Sequence, residues 1–189
     1  MAQGIILAAG YSSRAQTNKM LLTYRQKPLI VHAIEGMRPF VSTVFVITGH
    51  YHEEIKEVVE GMEKVVILRN EHFGEGMFTS VLLGVSHTTE DFFILPGDCP
   101  LVKHTTYDAL LQGSGTVRVP VYQKQTGHPL FIAKGLKEEL LGEPRGSNLK
   151  VFRNRHNYEI IKVDDANILT DIDTQADYHL LTQAHIKGD

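Results

Sequence analysis

The segment Gly4-Ile5-Ile6-Leu7-Ala8-Ala9-Gly10-Tyr11-Ser12-Ser13-Arg14-Ala15-Gln16-Thr17-Asn18-Lys19 decides how the rest of the chain is read. Its first part, Gly4 to Ala8, is a short apolar run with the length and β-branched content of a buried strand. The run breaks at Ala9-Gly10 into a polar stretch that carries two cations, Arg14 and Lys19. A buried strand ending in small residues presents backbone N–H groups at the carboxyl edge of a sheet, where open α/β sheets bind their ligands. Small residues let the backbone approach a ligand closely, and the two cations can neutralise a polyphosphate. The same residues also read as an ordinary strand-to-loop turn with solvated charges. Two phosphate motifs are excluded: no second glycine followed by lysine completes a Walker A loop after Gly10, and the dinucleotide pattern Gly-x-Gly-x-x-Gly fails here.

Outward from this segment, apolar runs and helical periods alternate. Leu29, Ile30, Ala33, Ile34 and Met37 mark a helix opening after Pro28. Val44–Ile47 reads as a second strand, ending at Gly49, and Ile55, Val58 and Val59 mark one face of a helix that ends near Gly61. Val65–Leu68 is a third strand, Met77–Val85 a helix, and Phe92–Leu95 a fourth strand running into Pro96-Gly97-Asp98-Cys99-Pro100. This alternation describes βαβ units on a mostly parallel sheet, an α/β fold. The second half is less regular. Val117–Val121 and Leu130–Ile132 suggest strands, Lys134–Leu141 and Asn148–Arg153 short helices, and Tyr158–Val163 and Ile168–Ile172 extended segments. A last helix opens at Thr174-Gln-Ala-Asp177, a pattern close to a capping box.

Length and composition narrow the function classes. A chain of 189 residues without repeats or linkers is expected to form one domain, with a core large enough to need no disulfide. The net charge of -3 removes any basic excess that would suggest a nucleic-acid partner. Cys99 is the only cysteine, so no disulfide or cysteine zinc cluster can form within the chain. Neither a signal-like N-terminus nor an 18-residue apolar run occurs, so a soluble, cytoplasmic protein with no membrane contact is the expectation.

Several other residues could carry chemistry. Asp98 follows a fully apolar strand, at the same sheet edge as Gly10 if the two strands are parallel. A carboxylate there can hold Mg²⁺ against a triphosphate, or can simply bond its own turn. Asp171-Ile172-Asp173 sets two carboxylates on one side of an extended segment; Asp173 or Thr174 reads well as the cap of the last helix. Asn70 through Ser80 contains Gly74-x-Gly76 between a strand and a helix, the context of a ligand-facing loop, although Thr79 stands where a dinucleotide motif needs glycine. His50 and His52 lack zinc-site spacing and suit a solvated helix start. Cys99 has no visible base to activate it, and Arg145 lies in a loop that reads most simply as a surface turn.

Leu7-Ala8-Ala9-Gly10-x-Ser-Ser-Arg14, followed by Lys19-Met-Leu-Leu and Lys27-Pro-Leu-Ile, resembles the signature of the MobA-like nucleotidyltransferases. The double alanine is similar to the molybdenum cofactor cytidylyltransferase (MocA-like) branch, whose guanylyltransferase cousins carry Leu-Ala-Gly-Gly. One position departs, since Gln16 stands where that family has glycine. The resemblance implies a three-layer α/β/α sandwich, the nucleotide-diphospho-sugar transferase fold. It also implies Mg²⁺-dependent transfer of CMP from CTP to molybdopterin with release of pyrophosphate, and a molybdenum hydroxylase as eventual client. By the same resemblance Leu7, Ala8, Ala9, Gly10, Arg14, Lys19, Asn70, Gly76 and Ser80 bind the nucleotide. Arg14, Lys19 and Asp98 are catalytic, His128 in Gly127-His128-Pro129 meets the acceptor, and Asp98 and Asp171 hold the metal. Rival readings are another nucleotide or a sugar-phosphate acceptor, or a non-catalytic nucleotide-binding accessory protein.

Overall fold

The computed structural model describes residues 1–11 and 18–186. Strand β1 (Ala2–Ala8) is buried along its whole length. After the first loop, β2 (Thr23–Tyr24) and β3 (Lys27–Pro28) form a small antiparallel hairpin that leads into helix α1 (Leu29–Met37). Strand β4 (Val41–Thr48), helix α2 (His52–Val59), strand β5 (Val65–Arg69), helix α3 (Met77–His87) and strand β6 (Phe92–Pro96) then alternate. Helix α4 (His104–Gln112) precedes β7 (Val117–Tyr122), β8 (Gln125–Thr126) and β9 (Leu130–Ile132). Helices α5 (Lys137–Leu141) and α6 (Leu149–Arg155), strand β10 (Glu159–Lys162) and helix α7 (Gln175–Ile186) complete the order.

The main sheet runs β10-β7-β9-β6-β1-β4-β5, with β8 added to β7. Strand β1 pairs in parallel with both β4 and β6, and β4 in parallel with β5. The antiparallel pairs involve β9 and β8, which belong to the irregular second half of the chain.

The alternation of side chains explains why β1 is apolar from Gly4 to Ala8, beyond the buried Gln3. Ile6 and Ala8 point into a core shared with Ile34 and Met37 of α1, Ile55 of α2 and Tyr107 of α4. Ile5 and Leu7 point the other way, into a core with Val81 and Val85 of α3, Leu140 of α5 and Phe152 of α6. A strand covered on both faces has no side left for polar residues. The result is the three-layer sandwich that the family resemblance implies, on the mostly parallel sheet expected from the alternating pattern.

Two expectations change. Ile168–Ile172 is not extended throughout, because Ala166–Leu169 forms a 3-10 turn anchored at Asp165. The buried Asp165 carboxylate accepts hydrogen bonds from the Lys103 amide, the Thr106 hydroxyl and the Asn167 amide, which ties this turn to the start of α4. Helix α7 is capped by Thr174, not Asp173. The Thr174 hydroxyl accepts from the Asp177 amide at 3.2 Å while the Asp177 carboxylate accepts from the Thr174 amide at 2.7 Å, a reciprocal capping box. That leaves the Asp173 carboxylate to face elsewhere.

The approach of α3 to β1 has one tight point. A Cβ on Gly84 would lie 2.6 Å from Cγ2 of Ile5, a branch fixed at its own Cβ. At an exposed helical position, Gly→Ala stabilises by about 1 kcal/mol. Gly84→Ala should instead destabilise by about 1–3 kcal/mol through overpacking. Urea unfolding of the wild type and the variant measures the sign directly, and a more stable variant would refute the close packing.

Candidate active site

Because β1, β4 and β6 run in parallel, their ends bring the following loops to one edge of the sheet. Leu7 is level with Pro96, and Ala8 with Thr48. The Gly97 amide donates to the Leu7 carbonyl at 2.9 Å, and the Asn70 amide to the Thr48 carbonyl at 2.8 Å. Two adjoining lobes of a cleft open there. The smaller, about 440 Å³, is walled by Ala9, Gly10, Tyr11, Phe73 and Ser80. The larger, about 790 Å³, is walled by Gly127, His128, Asn148, Ile168 and Asp171. Leu7, Lys19, Gly76, Asp98 and Asp173 line both lobes and so form the neck between them.

An ionic cluster occupies this neck. Nζ of Lys19 donates to Oδ2 of Asp98 at 2.6 Å and to Oδ1 of Asp173 at 2.8 Å. All three side chains are mostly shielded, at 13%, 16% and 35% exposure, so the contacts are less screened than surface pairs. Burial works against the Lys19 charge, but Asp98 and Asp173 outweigh it and raise the amine above its ordinary value. Lys19 therefore stays protonated at neutral pH. The Ile172 amide donates to the Asp98 carbonyl at 2.9 Å, which locks Asp171–Asp173 beside the turn after β6. Ile172 itself is buried under α7 with Tyr24 and Leu29, so the neighbouring Asp173 is set in place by apolar packing.

Cys99 lies buried behind Asp98, its Sγ 3.8 Å from Oδ1. Burial pushes the thiol up, and the Asp98 and Asp171 charges push it further. It remains a protonated thiol and is no nucleophile at neutral pH.

The smaller lobe is shaped by the Asn70–Ser80 loop. The Asn70 amide donates to the hydroxyls of Thr79 and Ser80, both at 2.8 Å, and its carbonyl oxygen accepts from the His72 amide at 2.9 Å. Asn70 is buried and spends its side chain holding the loop on the start of α3. Gly76 takes φ +114° at the entry to α3, a conformation that a side chain would strain. Tyr11 packs against Phe73 and His50, with ring centroids 5.3 and 4.9 Å apart, and forms an aromatic outer wall.

Across the mouth, Nη1 of Arg145 contacts Oε2 of Glu75 at 3.0 Å, while Nδ1 of His72 lies 2.8 Å from Oε1. Arg145 and His72 hold the Glu75 carboxyl below its ordinary range. Arg145 thus links the loop after α5 to the loop before α3, a link across the cleft.

Leu7, Ala9, Gly10, Lys19, Gly76, Ser80, Asp98, His128 and Asp171, all singled out from the sequence, line the cleft. Ala8 lines neither lobe because it points into the opposite core. Asn70 lines neither because its side chain is turned into the loop. Arg14 and Gln16 fall outside the described residues. Asp171 lines only the larger lobe, whereas Asp173, read from the sequence as a possible cap, reaches the neck. The alternation of Asp-Ile-Asp offered the only signal for Asp173, and it did not say which carboxylate faces inward. Arg145 carried no signal of its contact with Glu75, a pairing between distant loops.

His128 stands on the larger lobe, its backbone amide bonded to the Ile168 carbonyl at 2.9 Å. Burial pushes its imidazole below the usual value of 6.5, and Asp98 and Asp171 only partly oppose that. The unfolded chain therefore takes up this proton first as pH falls below 6.5, so the stability present above that pH is lost on acidification. Thermal unfolding between pH 7 and pH 5 should show a steeper loss in the wild type than in His128→Gln; parallel profiles would contradict the burial of a neutral imidazole.

Comparison with known proteins places the chain in one family. The family model described as "MobA-like NTP transferase domain" matches residues 4–159. The chain is 27% identical to the molybdenum cofactor cytidylyltransferase of Escherichia coli strain K12, covering 92% of each chain. It is 31% identical to a probable molybdenum cofactor guanylyltransferase of Bacillus cereus over 69% of this chain and 66% of that one. Among solved structures, a nucleotidyl transferase from Methanothermobacter thermautotroptrophicus superposes with a TM-score of 0.86 at 20% identity, covering 100% of this chain and 99% of the other. At that identity the likeness is one of fold, that of the nucleotide-diphospho-sugar transferases.

Proposed function

The chain belongs to the MobA-like NTP transferase domain family, and from that premise we propose that it transfers CMP from CTP to the phosphate of molybdopterin. One observation carries this reading: the Lys19–Asp98–Asp173 cluster lies at the neck between two lobes. A transferase that joins two bulky substrates needs its charged centre where the reacting atoms of both can meet.

In this reading the nucleotide enters the smaller lobe, with its phosphates directed at the neck. The acceptor enters the larger lobe, along the wall that contains His128. An oxygen of the acceptor phosphate attacks the α-phosphorus, the bond to the β-phosphate oxygen breaks, and pyrophosphate leaves. A phosphate monoester is largely dianionic at neutral pH, so the attack requires no general base. Lys19 meets the charge that grows on the α-phosphate oxygens, and Arg14 takes the β- and γ-phosphates. Catalysis is then alignment and charge neutralisation. The neutral His128 imidazole donates a hydrogen bond to the acceptor.

The donor set suits a hard divalent cation such as Mg²⁺, because it offers carboxylate oxygens and leaves room for phosphate oxygens and water. Asp98 and Asp173 would hold the ion, with Asp171 on the acceptor side; once bound, it would neutralise charge between the α- and leaving phosphates. CTP is favoured by the Ala8-Ala9 pair and by the similarity to the cytidylyltransferase. GTP is the second reading, supported by the similarity to a probable guanylyltransferase.

The test is release of pyrophosphate on incubation with Mg²⁺, molybdopterin and each nucleoside triphosphate in turn, with identification of the dinucleotide. CTP should exceed GTP in kcat/KM by about ten- to a hundredfold, the scale of a steric contact in a packed pocket, and Ala9→Gly should narrow that gap. A wild-type preference for GTP overturns the cytidylyl assignment. Asp98→Asn should keep its fold and lose roughly a hundredfold or more in turnover; near-normal turnover rejects its role.

A further inference from the structure

The contacts of Lys19 bear on how the enzyme behaves before any substrate arrives. Its ammonium lies 2.6 Å from one carboxylate and 2.8 Å from the other, so a single nitrogen spans Asp98 and Asp173. Two carboxylates set this close repel each other unless a cation lies between them. A divalent ion bound to the same pair sits about 2.0–2.1 Å from its oxygens if it is magnesium. It would have to take the position that Nζ now occupies. The two cations repel each other at that distance, and shielding from solvent strengthens the repulsion.

The Lys19 ammonium sits at the end of a long side chain that can move without its backbone. Its four-carbon stem is flexible, and the residue lies in a 3-10 turn, Lys19–Leu21, with Met20 buried as the anchor. The turn therefore stays in place while the head group moves. The neck opens into the lobe walled by Gly10 and Ser80, which offers the head group somewhere to go.

We propose that Lys19 is the resident counter-ion of the Asp98–Asp173 pair in the metal-free enzyme, and that a divalent cation competes with it for the same two carboxylates. Metal loading then releases Lys19 from its carboxylates and frees its charge for the phosphate chain. One residue holds the two carboxylates together and becomes a phosphate ligand only when the metal displaces it. The proposal rests on the metal use in the reading above, but its chemistry is a competition that needs no nucleotide.

Binding of Mn²⁺ alone to the nucleotide-free full chain, followed by the loss of the free-ion paramagnetic resonance signal, tests it. Lys19→Met keeps the apolar stem and removes the competing charge. It should bind Mn²⁺ at least tenfold more tightly than the wild type, even though the same change impairs turnover. Adding Asp173→Asn to Lys19→Met should remove the gain. Equal or weaker binding by Lys19→Met overturns the proposal, and so does a gain that survives Asp173→Asn. Should Lys19→Met fail to unfold cooperatively on heating, Lys19→Gln, neutral but still able to donate a hydrogen bond, is read against the same tenfold criterion. Failure of CTP turnover would appear in the pyrophosphate assay and not in this titration, so the two ideas fail separately.

Discussion

The burial of β1 on both faces and its parallel pairing on both edges is the constraint on which the rest of this structure depends. A strand with no exposed face and no free edge can offer a ligand only its carboxyl end. Both of its partners run in the same direction, so their loops leave at that end too. The turn after Ala8, the turn after Pro96 and the loop after Thr48 are therefore brought together by the backbone pairing itself. The same geometry explains why one β1 residue can face a cleft while the next is lost to it. Leu7 reaches both lobes, and Ala8 points into the core beneath α1.

Onto that frame the chain adds a charge cluster built from three remote segments. Lys19 meets Asp98 across 79 residues and Asp173 across 154. Bringing partly buried charges together is costly in desolvation, and the attraction offsets that cost only when geometry is good and partners are complete. Here a backbone bond from Ile172 to the Asp98 carbonyl and the burial of Ile172 supply the geometry. Apolar packing thus pre-positions the carboxylates, so the cluster does not have to assemble itself. The same economy holds in the smaller lobe, where the Asn70 side chain holds Thr79 and Ser80.

Legibility of the fold varied with how many faces each element buries. The strands β1, β4 and β6 are apolar runs, and each stands out because two helical layers cover it. Helix α4 is harder to see, since His104-Thr-Thr-Tyr-Asp-Ala-Leu-Leu-Gln buries chiefly Thr106, Tyr107 and Leu110 and opens with poor helix formers. The segment Ile168–Ile172 looks extended because its β-branched residues Ile168, Thr170 and Ile172 recur at every second position. It turns because Asp165 binds three donors at once, two of which lie at the start of α4.

The sequence alone determined the class of fold, the sheet edge where the cleft opens and nine of the residues that line it. It could do so because strand periodicity, small residues at turns and helix caps are local effects, expressed within a few residues. Only the tertiary structure decided which of Asp171 and Asp173 reaches Lys19, that Asn70 is spent on its own loop, and that Arg145 bridges to Glu75. Each of these is a choice among chemically similar partners beyond the neighbouring residues. Local propensity does not discriminate among them; the packing of Ile172 against Tyr24 and Leu29, and the meeting of the two loops across the cleft, does.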